Sequence, residues 1–283
     1  MKTSNKLLIA FAASLILLPI LCIAFVSSVY FEKGDESVRR EGIDNFGAIA
    51  KNTVSITGTG SAETINIQGD NKIHLVITIT KNNTIGVQTS DNLKGLVTVS
   101  FDADHHMQVV VKNSPKGLEN SGRLSIAAPD VNTINVTGAH GIGLQAEMDA
   151  LNLNLTNTEY VNFNIDTKVK NLLVDTKNVK EITFSENGLL SASLNLNNTN
   201  LKSDLGSFND LTINANGNSN IELNGGDDQG AKRSIKNMKI NTFGTTDLKV
   251  VNMVIDQCSG KFSDATTLQI PAININQMYN VKK

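Results

Sequence analysis

Tryptophan is absent from this chain and aromatic residues make up only 5% of it, which excludes a core built around large rings. A thin core filled by Ile, Leu and Val fits instead. Two cysteines occur, Cys22 inside an apolar N-terminal run and Cys258 near the other end, so no internal disulfide joins two parts of the remaining domain. Cys258 is read as a small buried apolar residue. Charge of either sign is also short: 25 basic against 27 acidic residues leave a net charge of -2, with no basic field for nucleic acid and no acidic tail for a cationic partner. Only four histidines are present and no nucleophile-elbow motif accompanies them, so a Ser-His-Asp site has no support. No cofactor is expected.

What the chain does have is an Asn-studded repeat of about twenty residues through its C-terminal half, a period that specifies stacked coils. One apolar column runs Leu144, Phe163, Phe184, Ser203, Leu223, Val250, Ile270, and a second stands two residues before each, from Ile142 to Leu268. The steps are 19, 21, 19, 20, 27 and 20. A further strand per coil is read at Ile134, Leu153, Leu172, Leu194, Ile213 and Ile240, one strand and one tight turn away. Inside each strand the period is two, as in Leu151-Asn152-Leu153-Asn154-Leu155, which sends alternate side chains to opposite faces. The expected fold is all-β: a right-handed parallel β-helix, or β-solenoid.

The outward set is polar. Asn135, Asn154, Asn195, Asn214 and Asn241 fall at one outward position, with Leu173 breaking the series. Stacked amides hydrogen-bond up and down such a column, a structural reason for Asn in strands it otherwise disfavours; the alternative is that this wall touches a ligand, which makes the five Asn candidate ligand-binding residues. The 27-residue step comes from the segment 225–233, beginning Gly225-Gly226-Asp227-Asp228. It is read as a solvated turn, since one such loop lacks the repeated Gly-Gly-x-Gly-x-Asp run of calcium-binding solenoids. The compact set Asp102, Asp104 and His106 shares one face if the preceding strand continues, and so is a candidate divalent-metal site; a polar turn is the competing reading. His74 and His140 have no matching partners in sequence and are read as structural.

From Leu7 to Phe31 no charged residue occurs, behind a short start carrying Lys2 and Lys6. That run is long enough to span a bilayer and longer than the apolar region of a usual cleaved signal. An uncleaved anchor is the leading expectation for residues 1–31, and lipid bilayer is then a partner through residues 7–31. Val26-Ser27-Ser28 leaves cleavage open as an alternative, and Cys22 a lipidated one, though the bulky Leu21 before it fits lipoprotein processing poorly. The signal-like start orients the C-terminal part outside, even though Lys33, Arg39 and Arg40 follow the span. Residues 32–45 form a charged linker, and 46–283 the solenoid domain. Strands resume after Phe46, and the spacing of Ile65, Ile85, Met107 and Ile126 at 20, 22 and 19 predicts that coils already stack in that order there. Residues 114–122 read as a turn-rich break, and the tail after Pro271 as irregular.

The stretch from Leu124 to Ala139, with Ala127-Ala128-Pro129-Asp130 and Val136-Thr137-Gly138-Ala139, resembles the entry of bacterial "putative auto-transporter adhesin, head GIN domain" proteins. Leu211-Thr212-Ile213-Asn214-Ala215-Asn216-Gly217 is similar to their coils. An apolar N-terminal segment ahead of a solenoid is shared as well. The resemblance covers roughly Phe46 to Ile275 and implies an envelope β-solenoid, with adhesion as the family's label and no catalytic motif. The chain departs from the family in its turns, where Asn and Thr stand in place of Gly and Ser.

Catalysis would need paired carboxylates on a groove wall. Asp166, Asp175, Glu181, Asp204, Glu222 and Asp247 form no neat column, so the chain is read as a non-enzyme. The sequence points to a membrane-anchored binding module of a bacterial envelope, its C-terminal domain extracytoplasmic, offering an Asn/Thr wall to a glycan, an envelope protein or another copy of itself. A structural envelope component without a dedicated ligand is the alternative, and a polysaccharide-active enzyme the last.

Overall fold

The computed structural model describes residues 53–58, 62–81, 83–112, 121–164, 167–185, 191–226 and 233–279. All belong to one compact unit, Phe46–Lys283. The expected anchor (1–31), linker (32–45) and most of the Gly-Asp loop lie outside the described residues. Among the described residues no helix is long and apolar enough to cross a membrane.

Apart from one short α-helix and a single 3-10 turn at Asp91–Leu93 the described chain is strand and turn. Its period-two patterns do what alternation predicts: in Ser191–Asn197 the residues Ala192, Leu194 and Leu196 are buried, and the residues between them are not. Successive coils pair in parallel register on two long walls. On the first, Ile134 stacks on Leu153, Leu153 under Val174, then Leu194, Ile213 and Ile240. On the second, Phe163, Phe184 and Ser203 stack in order, then Leu223 and Val250, and these two rows meet in one continuous apolar core.

A third, shorter wall escapes a two-strand reading of the coil. Val169 pairs with Met148, and Phe208 pairs with Ile235, which pairs with Ile255. All five are buried. Phe208 has a specific job. Ser203 interrupts a row of large side chains, and the Phe208 ring fills the gap from the third side, 6.0 Å from the Phe184 ring in an edge-on arrangement. Phe184 in turn stacks on Phe163 at 4.5 Å.

The register also corrects the sequence reading by two residues in one coil. Val174, not Leu172, continues the row of Leu153, and Asp175, not Leu173, stands next to Asn154. Leu172, Leu173 and Val174 are consecutive apolar residues in a coil 21 residues long, so spacing alone offers no choice among them.

The larger correction concerns the N-terminal part. The coil made by Thr64–Gln68 and His74–Thr80 is inserted between two coils distant in sequence: Ile65 pairs with Met107 on one side and with Ile134 on the other, and Ile77 with Leu124 and Leu144. Ile65, Ile85, Met107 and Ile126 therefore do not stack in that order. Ile85 lies in Ile85–Ser90, which runs antiparallel to Ser121–Ala127 and to Thr53–Gly58. Val97–Phe101 likewise runs antiparallel to Met107–Val111. A parallel stack thus ends, on both long walls, in antiparallel strands, which cover an edge otherwise open to pairing.

At the other end, the tail expected to be irregular forms helix α1, Ala272–Tyr279. Pro271 precedes it and accepts from the N–H groups of Asn274 and Ile275, a position where its own missing N–H costs nothing. Asn274 is buried and donates to the Ile255 carbonyl at 2.9 Å, and Gln277 donates to that of Asp256 at 2.9 Å. Two amides thus satisfy edge carbonyls of the last coil. The segment is hard to read as helix from sequence because its Ile and Asn residues have low helix propensity.

Three asparagines stand at the corner between the two long walls, in a backbone that suits them. Asn157, Asn178 and Asn198 have φ of 52°, 56° and 51°, and Gly138 and Gly217 have 70° and 78°. One left-handed residue makes each of these five turns, and Asn and Gly are the residues that adopt that conformation most readily. The Asn residues that replace Gly in the turns therefore keep the same backbone.

Candidate functional site

Outward from the first wall runs the expected amide ladder, longer than the sequence reading and interrupted elsewhere. In register it comprises Asn66, Asn135, Asn154, Asp175, Asn195, Asn214 and Asn241. Each amide nitrogen donates to the preceding side-chain oxygen: Asn135 to Asn66 at 2.6 Å, Asn154 to Asn135 at 2.7 Å, Asn195 to Asp175 at 2.6 Å, Asn214 to Asn195 at 2.9 Å and Asn241 to Asn214 at 2.8 Å. Asp175 has no N–H to pass on, so the link from Asp175 to Asn154 is missing. Asn66 escapes the sequence reading because its coil is out of sequence order.

Because the links are directional, interior and terminal rungs differ. Asn214→Ala strands two partners, the Asn195 oxygen and the Asn241 nitrogen, whereas Asn241→Ala strands one. The expected cost is about 1–2 kcal/mol for Asn214→Ala and about half that for Asn241→Ala. Urea unfolding of the two variants checks the order; equal costs would mean the ladder carries no energy of its own.

Beside the ladder lies a hollow of about 370 Å³ lined by Asp175, Asn195, Asn214, Asn197, Asn216 and Phe243. It contains two of the five expected ligand-binding residues, Asn195 and Asn214. Asn135, Asn154 and Asn241 lie in the same row outside it. Asn197 and Asn216 come from the adjoining outward row, where they pair in register. The Phe243 N–H donates to the Ala215 carbonyl at 2.8 Å, which seats Phe243 at the next position of that row. Its side chain is 66% exposed. The sequence does carry a signal for it: the turn after Asn241 reads Thr242-Phe243-Gly244-Thr245 where the coil before reads Ala215-Asn216-Gly217-Asn218. A phenylalanine takes the place of an asparagine on the surface.

The second candidate, Asp102, Asp104 and His106, is brought together: one ligand atom from each lies within 4.8 Å of the others. The strand does not continue through it, however. Val97–Phe101 and Met107–Val111 form an antiparallel hairpin, and these residues are its turn, with His105 at a φ of 61°. Asp102 holds that turn. Its Oδ1 accepts from the N–H groups of Asp104 (3.0 Å) and His106 (2.9 Å), and its Oδ2 from Gln108 Nε2 (2.8 Å), with His106 Nδ1 at 3.2 Å. Those bonds, first the one from His106 N–H, hold the Asp102 carboxyl below its ordinary pKa. The carboxylate is thus occupied by its own turn.

On the second wall, the His74 ring lies against Gly141, where a Cβ would collide with its Nδ1. Burial, and then the neighbouring His140, push its pKa down. His140 Nδ1 sits 3.4 Å from Glu159, and its ring meets that of Tyr160 edge-on at 5.9 Å. Lys180 Nζ donates to the Tyr160 hydroxyl at 2.6 Å; at 4.8 Å from the ring centroid it is at the rim of the ring. Cys258 is buried, and desolvation pushes its thiol up to about 11, which keeps it neutral and inert.

Four other carboxylates are engaged by cations, hydroxyls or amides. Asp149 meets Lys170 at 2.7 Å, Glu222 meets Lys249 at 2.9 Å and Glu147 meets Lys168 at 3.7 Å, while Asp210 accepts from Ser191 and Asn237.

No family model matches the chain. No curated protein matches it either. Three solved structures show similarity to the chain. They are a putative adhesin of Parabacteroides merdae (12% identity, TM-score 0.45, 77% of this chain and 94% of that one), a putative lipid binding protein of Parabacteroides distasonis (10%, 0.42, 77% and 96%) and a putative adhesin of Bacteroides fragilis (14%, 0.34, 76% and 98%). At these identities no ligand carries over to this chain.

Proposed function

We propose that this chain is a non-catalytic binding module of a bacterial cell envelope: a right-handed parallel β-helix of the GIN-domain kind, held to the bilayer by residues 7–31 with the coils outside the cytoplasm. The observation that carries the reading is the hollow beside the ladder. There, amides of two outward rows and one carboxylate converge under an exposed aromatic ring, the mixture of a few oriented polar groups and an apolar surface that small-ligand sites use. The engagement of Glu147, Asp149, Asp210 and Glu222 by neighbouring cations, hydroxyls or amides supports the non-catalytic part, because a hydrolase or lyase needs acidic groups free to face the scissile bond. Repeated rows add weak contacts of the same kind along the wall, which suits adhesion through multivalency.

A structural envelope role without a ligand is favoured by a different observation, the consumption of the ladder amides by one another. Binding of the full chain in detergent to arrayed glycans and to isolated envelope fractions separates the two. The expected result is saturable binding that falls when the hollow is altered; folded protein that retains nothing from either source would leave the structural role. In intact spheroplasts, protease added outside is expected to digest the coils, and protection of them would reverse the orientation.

A further inference from the structure

The chemistry of the hollow narrows its ligand. Asp175 is the one charged residue lining it, so an anionic ligand would meet a like charge and no cation. Asp175 Oδ1 is taken by Asn195, and its other oxygen has no hydrogen bond among the described residues. Asn197 Oδ1 accepts from Asn198 at 3.1 Å, which leaves its amide N–H groups for a ligand. The side chain of Asn216 has no hydrogen bond among the described residues, so it offers both donors and an acceptor. Acceptors and donors therefore stand side by side on one rim, and the Phe243 ring stands at the end of the row.

A bound peptide strand is disfavoured by the sheet itself. Strand addition needs a free edge, and the strand Phe208–Asn216 that carries Asn214 and Asn216 is paired on both sides, to Ser191–Asn197 and to Arg233–Thr242. A partner must be read by side chains alone. An apolar protein anchor would find one exposed ring and the buried Leu196 among polar lining residues, too little apolar surface for an interface core.

A ligand with a rim of neutral hydroxyls and an apolar C–H face matches all of these features. We infer that the hollow takes a neutral pyranose unit of a glycan, its C–H face stacked on Phe243 and its hydroxyls on the free oxygen of Asp175 and the amides of Asn197 and Asn216. This rests on the binding-module reading and names the ligand class of that same site. The volume of about 370 Å³ is at the small end of ligand sites, the size of a short stretch of sugar chain and not of a protein loop. Asp175 disfavours anionic sugars, and the open trough admits an internal unit of a longer chain.

The test uses the full chain in detergent and immobilised glucosyl, galactosyl, mannosyl and N-acetylglucosaminyl oligosaccharides, with sialylated versions beside them. Saturable binding to at least one neutral series is expected, with little to the sialylated versions. Phe243→Ala should weaken it about tenfold or more, the loss expected of a central aromatic anchor, while Phe243→Tyr keeps it within a few-fold. Because Phe243 is largely exposed, both variants should keep the wild-type circular dichroism and thermal midpoint. Neutral-glycan binding that survives Phe243→Ala would overturn this assignment and leave the binding module standing. Failure of every neutral series, with an envelope protein still bound, would do the same; failure of both probes would remove the module as well.

Discussion

Phe208→Ala is expected to cost about 3–5 kcal/mol, the range for deleting a buried ring that leaves its cavity open. Phe208 is 4% exposed and is the side chain that compensates for Ser203 in a row otherwise built of Leu, Phe and Val. Without its ring, Phe184 loses its edge-on partner and a void opens at mid-stack. Neighbours cannot collapse into it, since the coils above and below are held by strand ladders. Ser203→Leu alone should also destabilise, by about 1–3 kcal/mol, because the new side chain would enter space the Phe208 ring already occupies. The pair together should recover part of both losses, an interaction of opposite sign to the single effects. Ser203→Ala is the control: the Ser203 hydroxyl is buried without a partner, so removing it should be neutral or slightly stabilising. Urea unfolding of the four variants decides the matter, and a Phe208→Ala cost below about 1 kcal/mol would mean that the third wall does not support the core.

The residues legible in the sequence are those whose role repeats. Leu223 and Val250 sit one above the other because each coil must bury the same positions against its neighbour, and that necessity writes a period into the chain. The Asn ladder is legible for the same reason. What the period cannot carry is information about which coil lies next to which. Ile65 alternates with polar residues just as Ile213 does, and Ile77 sits in an ordinary β-branched strand, so nothing local reveals that they stack between Met107 and Ile134, or between Leu124 and Leu144. Pairing there is decided by tertiary packing. Single departures from the repeat are the other blind spot. Ser203 looks like a weak member of its column when it is half of a size exchange with Phe208, and Phe243 passes as turn because the repeat marks apolar residues that point inward.

Those two kinds of illegible feature have different consequences for function. An exchange inside the core, like that of Ser203 with Phe208, leaves the outer surface unchanged and says nothing about a ligand. A departure on the outside, where an aromatic replaces an amide in an outward row, changes the surface without touching the core. Stacking needs only that an outward side chain avoid its neighbours, so an exposed Phe243 gains nothing from the fold. Function is therefore more economically sought at Phe243 than at the ladder asparagines, whose positions the fold already explains.

Ile77→Asp is the second change expected to have a large effect, and its interest lies in where the damage stops. Ile77 is fully buried in the inserted coil, so a carboxylate there would be desolvated with no partner and would cost several kcal/mol. In a stack whose members touch only their neighbours, a defect in a terminal coil frays that coil, while one in an interior coil cuts the stack. By sequence Ile77 belongs near the beginning; in space its coil holds Met107–Val111 and Ser121–Ala127 to residues 133–146. Hydrogen exchange on Ile77→Asp should therefore lose protection in Met107–Val111 and Ser121–Ala127 as well as in residues 64–80, while strands from Ser191–Asn197 to Thr246–Val251 stay protected. Leu268→Asp, in the terminal strand Thr266–Gln269 that pairs on one side only among the described residues, is the comparison, and should expose that strand and little else. Loss of protection confined to residues 64–80 would show that the flanking coils close without the inserted one. Loss throughout the chain would show one cooperative unit with no boundary between the coils, in which case the shuffled coil order matters to the path of folding and not to the partition of stability.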